Sequence, residues 1–157
     1  MHRVLSIFFA ALLVALPVAP AVAGPAEANF LSRLAGSWSG NGRMSGGETG
    51  PISCRLVFKA NGSRLNYTGR CNVQDFGSQG FSGGITYNDS AKRYEVRSTS
   101  GLVVGVRHGN SLVFTTKTQS MSGSAYSTMT LSPSAITISF SFIRQGQKTT
   151  SRVSFHR

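Results

Sequence analysis

Cys54 and Cys71 are the only two cysteines of this 157-residue chain, and disulfide formation is the one reaction that residue type and spacing favour. They stand symmetrically about Asn61-Gly62-Ser63-Arg64. A hairpin centred between Gly62 and Ser63 therefore sets the two side chains face to face, as a bridge requires. Other chemistries find no residue set. Beyond residue 23 the chain has two histidines, His108 and His156, and five carboxylates, Glu27, Glu48, Asp75, Asp89 and Glu95. Glu48 and Asp75 fall in loops that could approach each other, but no neighbour tunes either for acid–base work. With the cysteines paired, the histidines are too far apart for a metal site. The many serines have no base partner and no nucleophile elbow. Gly46-Gly47 and Gly83-Gly84 match no phosphate loop. The expectation is a protein that is not an enzyme and that uses neither metal nor cofactor.

The cysteine symmetry carries a whole hairpin with it. On the cysteine face Ile52 meets Val73, Leu56 meets Gly69, Phe58 meets Tyr67 and Ala60 meets Leu65. On the other face Ser53 meets Asn72, Arg55 meets Arg70, Val57 meets Thr68 and Lys59 meets Asn66. One face is apolar and the other mostly polar, the signature of a half-buried antiparallel ladder.

The N-terminus supplies the compartment. Met1-His2-Arg3 is a short basic segment, Val4–Leu16 is apolar apart from Ser6, and Ala21-Val22-Ala23 reads as an A-x-A cleavage site. Residues 1–23 are expected to be a signal peptide and residues 24–157 a single mature domain, periplasmic or secreted. Export permits the disulfide. No later segment is long and apolar enough for a membrane-spanning helix, so an integral membrane protein is not expected. The full chain carries a formal charge of +11, which favours anionic partners such as an envelope component or an acidic protein. The basic residues are scattered, however, and no nucleic-acid-binding motif is present, so no specific nucleic acid is expected.

The remaining chain repeats the hairpin logic. A turn at Asp89-Ser90-Ala91-Lys92 pairs Tyr87 with Tyr94, Ile85 with Val96, Gly83 with Ser98 and, on the other face, Thr86 with Glu95. A turn at Ser132-Pro133-Ser134-Ala135 pairs Leu131 with Ile136, Met129 with Ile138, Ser127 with Phe140 and Ala125 with Phe142. A last turn at Arg144-Gln145-Gly146-Gln147 brings Ser151 to Phe140, Val153 to Ile138 and Phe155 to Ile136. Leu102–Arg107 and Leu112–Lys117 flank a turn at His108-Gly109-Asn110, whose register the sequence leaves open. With Gly36–Ser45 leading, about ten short strands follow a short helix at Glu27–Leu34 that puts Phe30, Leu31 and Leu34 on one face. Closing an all-β, up-and-down antiparallel sheet of this kind into a barrel removes its two edges; a two-sheet sandwich is the alternative.

At Gly36-Ser37-Trp38, just after the helix, the chain resembles the G-x-W opening of lipocalins and their calycin relatives. The resemblance implies a barrel in which an arginine from the end of the last strand packs on the tryptophan. Arg157 shares the inward parity of Val153 and Phe155 and takes that role; Arg152 has the other parity. Gly36-Ser37-Trp38-Ser39-Gly40-Asn41-Gly42 is also similar to the opening of nitrobindin-type haem barrels, which implies an axial histidine near the C-terminus. His108 falls at a turn and His156 has outward parity, both surface positions, so haem is not expected. The third resemblance is to small periplasmic inhibitors of secreted metalloproteases, G-x-W barrels with one early disulfide and a protease-blocking N-terminal segment. Cys54–Cys71 and Leu34–Trp38 match in placement.

The parities also distinguish the two barrel ends. Phe58, Leu65, Tyr67, Tyr87, Tyr94, Leu131, Ile136 and Phe155 crowd the end that holds Trp38 and Arg157. Towards the other end the inward set becomes Gly83, Ser98, Ala125, Ser127, Thr149 and Ser151, with Phe140 and Phe142 among them. Ser98, Ser127, Ser151, Phe140 and Phe142 are thus the candidate ligand-binding residues. The loops there, around Gly46-Gly47-Glu48, Gln74–Gly80, Ser98–Gly101 and Gln119–Gly123, are Gly/Ser-rich. The expected function is an exported barrel that binds a small apolar or amphipathic ligand. The alternative is a protein-interaction module, such as a protease inhibitor or envelope-surface binder, in a barrel filled by its own side chains.

Overall fold

The computed structural model describes residues 23–98, 101–121 and 123–157; of the expected signal peptide only Ala23 falls within them. One helix, α1 (Ala23–Leu34), precedes ten strands: β1 (Gly36–Gly46), β2 (Gly50–Asn61), β3 (Arg64–Val73), β4 (Gly77–Asn88), β5 (Arg93–Ser98), β6 (Gly101–His108), β7 (Ser111–Ser120), β8 (Gly123–Leu131), β9 (Ile136–Arg144) and β10 (Gln147–His156). Each strand pairs antiparallel with its sequence neighbour, and β10 returns to β1 with Ser39 opposite His156 and Gly46 opposite Thr149. The sheet is a closed barrel, and the sandwich alternative is excluded. Closure leaves no unpaired edge among the described strands.

The β2–β3, β4–β5, β8–β9 and β9–β10 registers place Cys54 opposite Cys71, Tyr87 opposite Tyr94, Ser127 opposite Phe140 and Val153 opposite Ile138. The register left open by the sequence is set by a two-residue turn, Gly109-Asn110, with His108 opposite Ser111 and Gly105 opposite Phe114. Gly109 holds φ +58°, the left-handed region that such a tight turn requires.

Two expectations are revised. The described helix, Ala23–Leu34, already includes the residues ahead of the expected start at Glu27, Pro25 among them. The segment Gln74–Gly80, expected as a loop, is mostly strand. β3 reaches Val73 and β4 starts at Gly77, so the connection is only three residues. Here Gly, Ser and Gln show no hydrophobic alternation, and the neighbouring backbone supplies the ladder.

The helix seals one end. Phe30, Leu31 and Leu34 are fully buried. Arg107, inward on β6, bridges to Glu27 at 2.7 Å and lies over the Phe30 ring at 4.3 Å. Tyr94 donates its hydroxyl proton to the same Glu27 carboxylate, and burial, then that hydrogen bond, raises its pKa so that it stays a neutral donor. Trp38, 1% exposed, donates from Nε1 to the Leu34 carbonyl at 3.1 Å. Arg157 lies over the Trp38 ring at 4.6 Å and donates to the carbonyls of Arg33 and Ala35 at 2.5 and 3.2 Å. These bonds satisfy carbonyls at the helix C-terminus that have no intrahelical donor.

Outside the barrel, Glu95 is the only acidic residue in any of the ten strands. Arg93 lies 3.0 Å and Arg97 3.6 Å away, and Asn88 donates to it at 3.0 Å. The Arg93 hydrogen bond, foremost, holds its pKa below the ordinary glutamate value against desolvation. The resulting stability is complete above the unfolded-state pKa of about 4.3 and lost as pH falls through the lower folded-state value. Glu95→Gln should therefore flatten the acid limb of the thermal melting profile. An acid limb unchanged in the variant would show that the cluster contributes nothing.

Candidate functional site

The interior is not filled. Behind the sealed end lies a cavity of about 420 Å³, within the range of small-molecule sites. Phe81, Val96, Val103, Phe114, Met129, Ile138, Val153 and Phe155 supply the apolar body of its wall. The Cys54–Cys71 disulfide forms part of the same wall. Polar groups are few: Thr116, Thr118, Ser127 and Thr128, and the phenol of Tyr67. Burial raises the Tyr67 pKa, leaving a neutral hydroxyl that can donate or accept.

The space has an identifiable cause. Four inward glycines each lie directly opposite an aromatic residue: Gly40 and Phe155, Gly69 and Phe81, Gly83 and Tyr67, Gly105 and Phe114. A Cβ at these glycines would come within 2.5, 2.2, 2.4 and 2.4 Å of the facing side chain, so each aromatic ring lies across its glycine's backbone. The rings thus hug the wall instead of reaching across the axis, and the centre stays open.

Of the five expected site residues, Ser127 lines the cavity. Phe142 lines a smaller adjoining space of about 170 Å³ that shares Thr118 with it. Phe140 packs on Phe142, ring centroids 5.8 Å apart, and is 40% exposed, so it belongs to the rim. Ser151 is half-buried between Phe140 and Met44 in the ladder and does not line the cavity. Ser98 ends β5 opposite Gly101, and its side chain lies outside the described residues. Thr116, Thr118, Val103 and Phe114 were missing from the sequence-based set because the β6–β7 register was open; alternation from Leu112 would have found the β7 members. At the rim the hydroxyl oxygen of buried Thr149 accepts from the Glu48 N–H at 3.1 Å, tying the β1–β2 loop to β10.

His108 and His156 are exposed on outward positions of β6 and β10. Neither faces the cavity, so the residues present do not fit a haem with an axial histidine. Among the described residues, no group of three His, Cys, Asp or Glu side chains is placed to hold a metal ion.

Ser127→Phe should leave the unfolding midpoint close to wild type, because the new ring enters existing space. In a close-packed interior the same change would cost about 1–3 kcal/mol. Denaturant unfolding of the two proteins separates these outcomes.

A closed antiparallel barrel, plugged by a helix at one end and hollow towards the other, is the class that fold and site define. No family model and no curated protein matches the chain. Among solved structures, the crystal structure of Rv2717c from M. tuberculosis aligns over 82% of this chain and 95% of its own, with TM-score 0.56 and 16% identity. A de novo designed fluorescence-activating β-barrel aligns over 81% of this chain and 95% of its own, with TM-score 0.38 and 13% identity. At these identities the first likeness concerns the fold alone.

Proposed function

We propose that this protein is an exported, non-enzymatic barrel that binds a small apolar or amphipathic ligand inside its cavity. The observation that carries this reading is the 420 Å³ apolar interior with its few hydroxyls. Apolar walls exclude water and favour a hydrophobic body, while Tyr67, Thr116, Thr118 and Ser127 can orient one polar end. Among the described residues no charged side chain lines the space, so the ligand's buried part is uncharged. The barrel turns its apolar residues inward and its arginines, serines and asparagines outward on β1–β3. That is the reverse of a lipid-facing barrel. Export is supported by the apolar N-terminal run, the A-x-A site and the disulfide.

Native mass spectrometry of protein recovered from its own compartment tests the proposal. The expected spectrum shows one small non-protein mass per chain, released on unfolding. Ligand-free protein that co-purifies with a second polypeptide would favour the alternative, a protein-interaction module. One feature supports that second reading: Leu102, Val104 and Val106 form an apolar stripe on the outer face of β6, 46%, 39% and 53% exposed. The inhibitor variant of that reading fares worse, because the described N-terminal segment is held in the barrel end by Trp38, Arg107 and Arg157.

A further inference from the structure

The fold gathers charges that look scattered in the sequence. β10, β1, β2 and β3 are contiguous in the barrel and contain no acidic residue. On their outer face Arg55 stands directly opposite Arg70, and Arg43 directly opposite Arg152. Like charges in directly opposed cross-strand positions repel, and all four side chains are exposed. None of the ion pairs found among the described residues involves them. The Arg55–Arg70 pair borders a depression of about 380 Å³, lined also by Ser39, Asn41, Ser53 and Asn72. Asn41, Ser53 and Asn72 in turn line a second space of about 370 Å³ that reaches Pro51 and Gln74. The two adjoin through Asn41, Ser53 and Asn72 to form one trough, with the opposed guanidinium groups at its polar end and Pro51 and Ile52 in the mainly apolar wall of the other.

We infer that this trough is a second binding site, separate from the cavity, for a phosphate or sulfate group carried on a sugar. Two guanidinium groups can each give paired N–H donors to one oxyanion, which turns their mutual repulsion into attraction. The row of amide and hydroxyl side chains beyond them suits the donor and acceptor pattern of sugar hydroxyls. Among the described residues no aromatic side chain lines either space, so a nucleobase would find no ring on which to stack. A sugar phosphate therefore fits better than a nucleotide.

The probes are glucose 6-phosphate, unphosphorylated glucose, a short single-stranded DNA, and phosphatidylcholine vesicles with and without lipid A, whose head is a phosphorylated glucosamine disaccharide. Binding of full-length mature protein is followed by calorimetry or vesicle co-sedimentation. Saturable one-to-one binding of glucose 6-phosphate, or capture by lipid A vesicles alone, is expected. The first identifies a soluble ligand and the second a lipid headgroup. Arg55→Gln with Arg70→Gln should weaken that binding at least tenfold. Lys92→Gln with Lys117→Gln, which removes the same charge elsewhere, should leave it within about twofold. Equal weakening by both pairs, no saturable binding to either phosphorylated sugar, or tighter binding of DNA through the two arginines would overturn the inference. Uptake of a neutral apolar probe by the cavity should be unchanged in the Arg55/Arg70 variant, so this test and that of the cavity fail separately.

Discussion

Replacing Trp38 by alanine is expected to cost about 3–5 kcal/mol, the largest loss for any single substitution considered, because a buried ring vanishes where three systems meet. The indole is 1% exposed, closes the helix through Leu34 O, and carries the Arg157 guanidinium on its face. Truncation removes its packing, its hydrogen bond and the platform for Arg157 together. Deleting Arg157 should cost less, since the guanidinium is partly in water, but measurably, through lost stacking and two lost carbonyl partners. The double variant should be less destabilised than the sum of the singles, because both act on one contact. Urea unfolding of the four proteins reads this directly. A wild-type midpoint for the Arg157 deletion would mean that the stacking does not hold the barrel end.

Reducing the Cys54–Cys71 bridge is expected to have the next largest effect. The bridge spans 17 positions of sequence, and freeing such a loop in the unfolded chain costs about 3 kcal/mol of stability in the chain-entropy model. The barrel should still form, because Ile52–Val73, Phe58–Tyr67 and Ala60–Leu65 remain paired on the same face. Since both cysteines line the cavity, reduction should also lower the affinity for an apolar probe. A paired Cys54→Ser, Cys71→Ser variant with an unchanged melting temperature would refute this account, as would two free thiols in protein taken from an oxidising compartment.

Much of the barrel was legible because its hairpins are symmetric about strong turn signals. Asn61-Gly62, Ser132-Pro133 and Gln145-Gly146 lie between alternating runs, so one turn centre dictates every pair along a ladder, as Cys54–Cys71 and Ser127–Phe140 show. Where alternation fades, a segment no longer encodes its own register. Gly77–Gly80 and the β6–β7 register rest on backbone pairing with neighbours, which one segment's composition does not encode. Arg107 was missed for the same reason: its inward parity follows only once Gly105 faces Phe114. The site was legible in outline only. Small inward residues signalled spare volume, yet the cavity sits deeper than Phe140 because glycine–aromatic pairs flatten the rings against the wall. The basic outer face was invisible in sequence because β10 and β1, which carry Arg152 and Arg43 into opposition, lie at opposite ends of the chain.

The central claim is that the interior binds an apolar ligand, and titration with the uncharged fluorophore N-phenyl-1-naphthylamine tests it most directly. An uncharged probe avoids the attraction that a +11 chain exerts on any anion. The account predicts saturable, one-to-one fluorescence enhancement in the wild-type protein and its loss in a stably folded Ser127→Phe variant. Equal enhancement in the two proteins, or none in either, would contradict it.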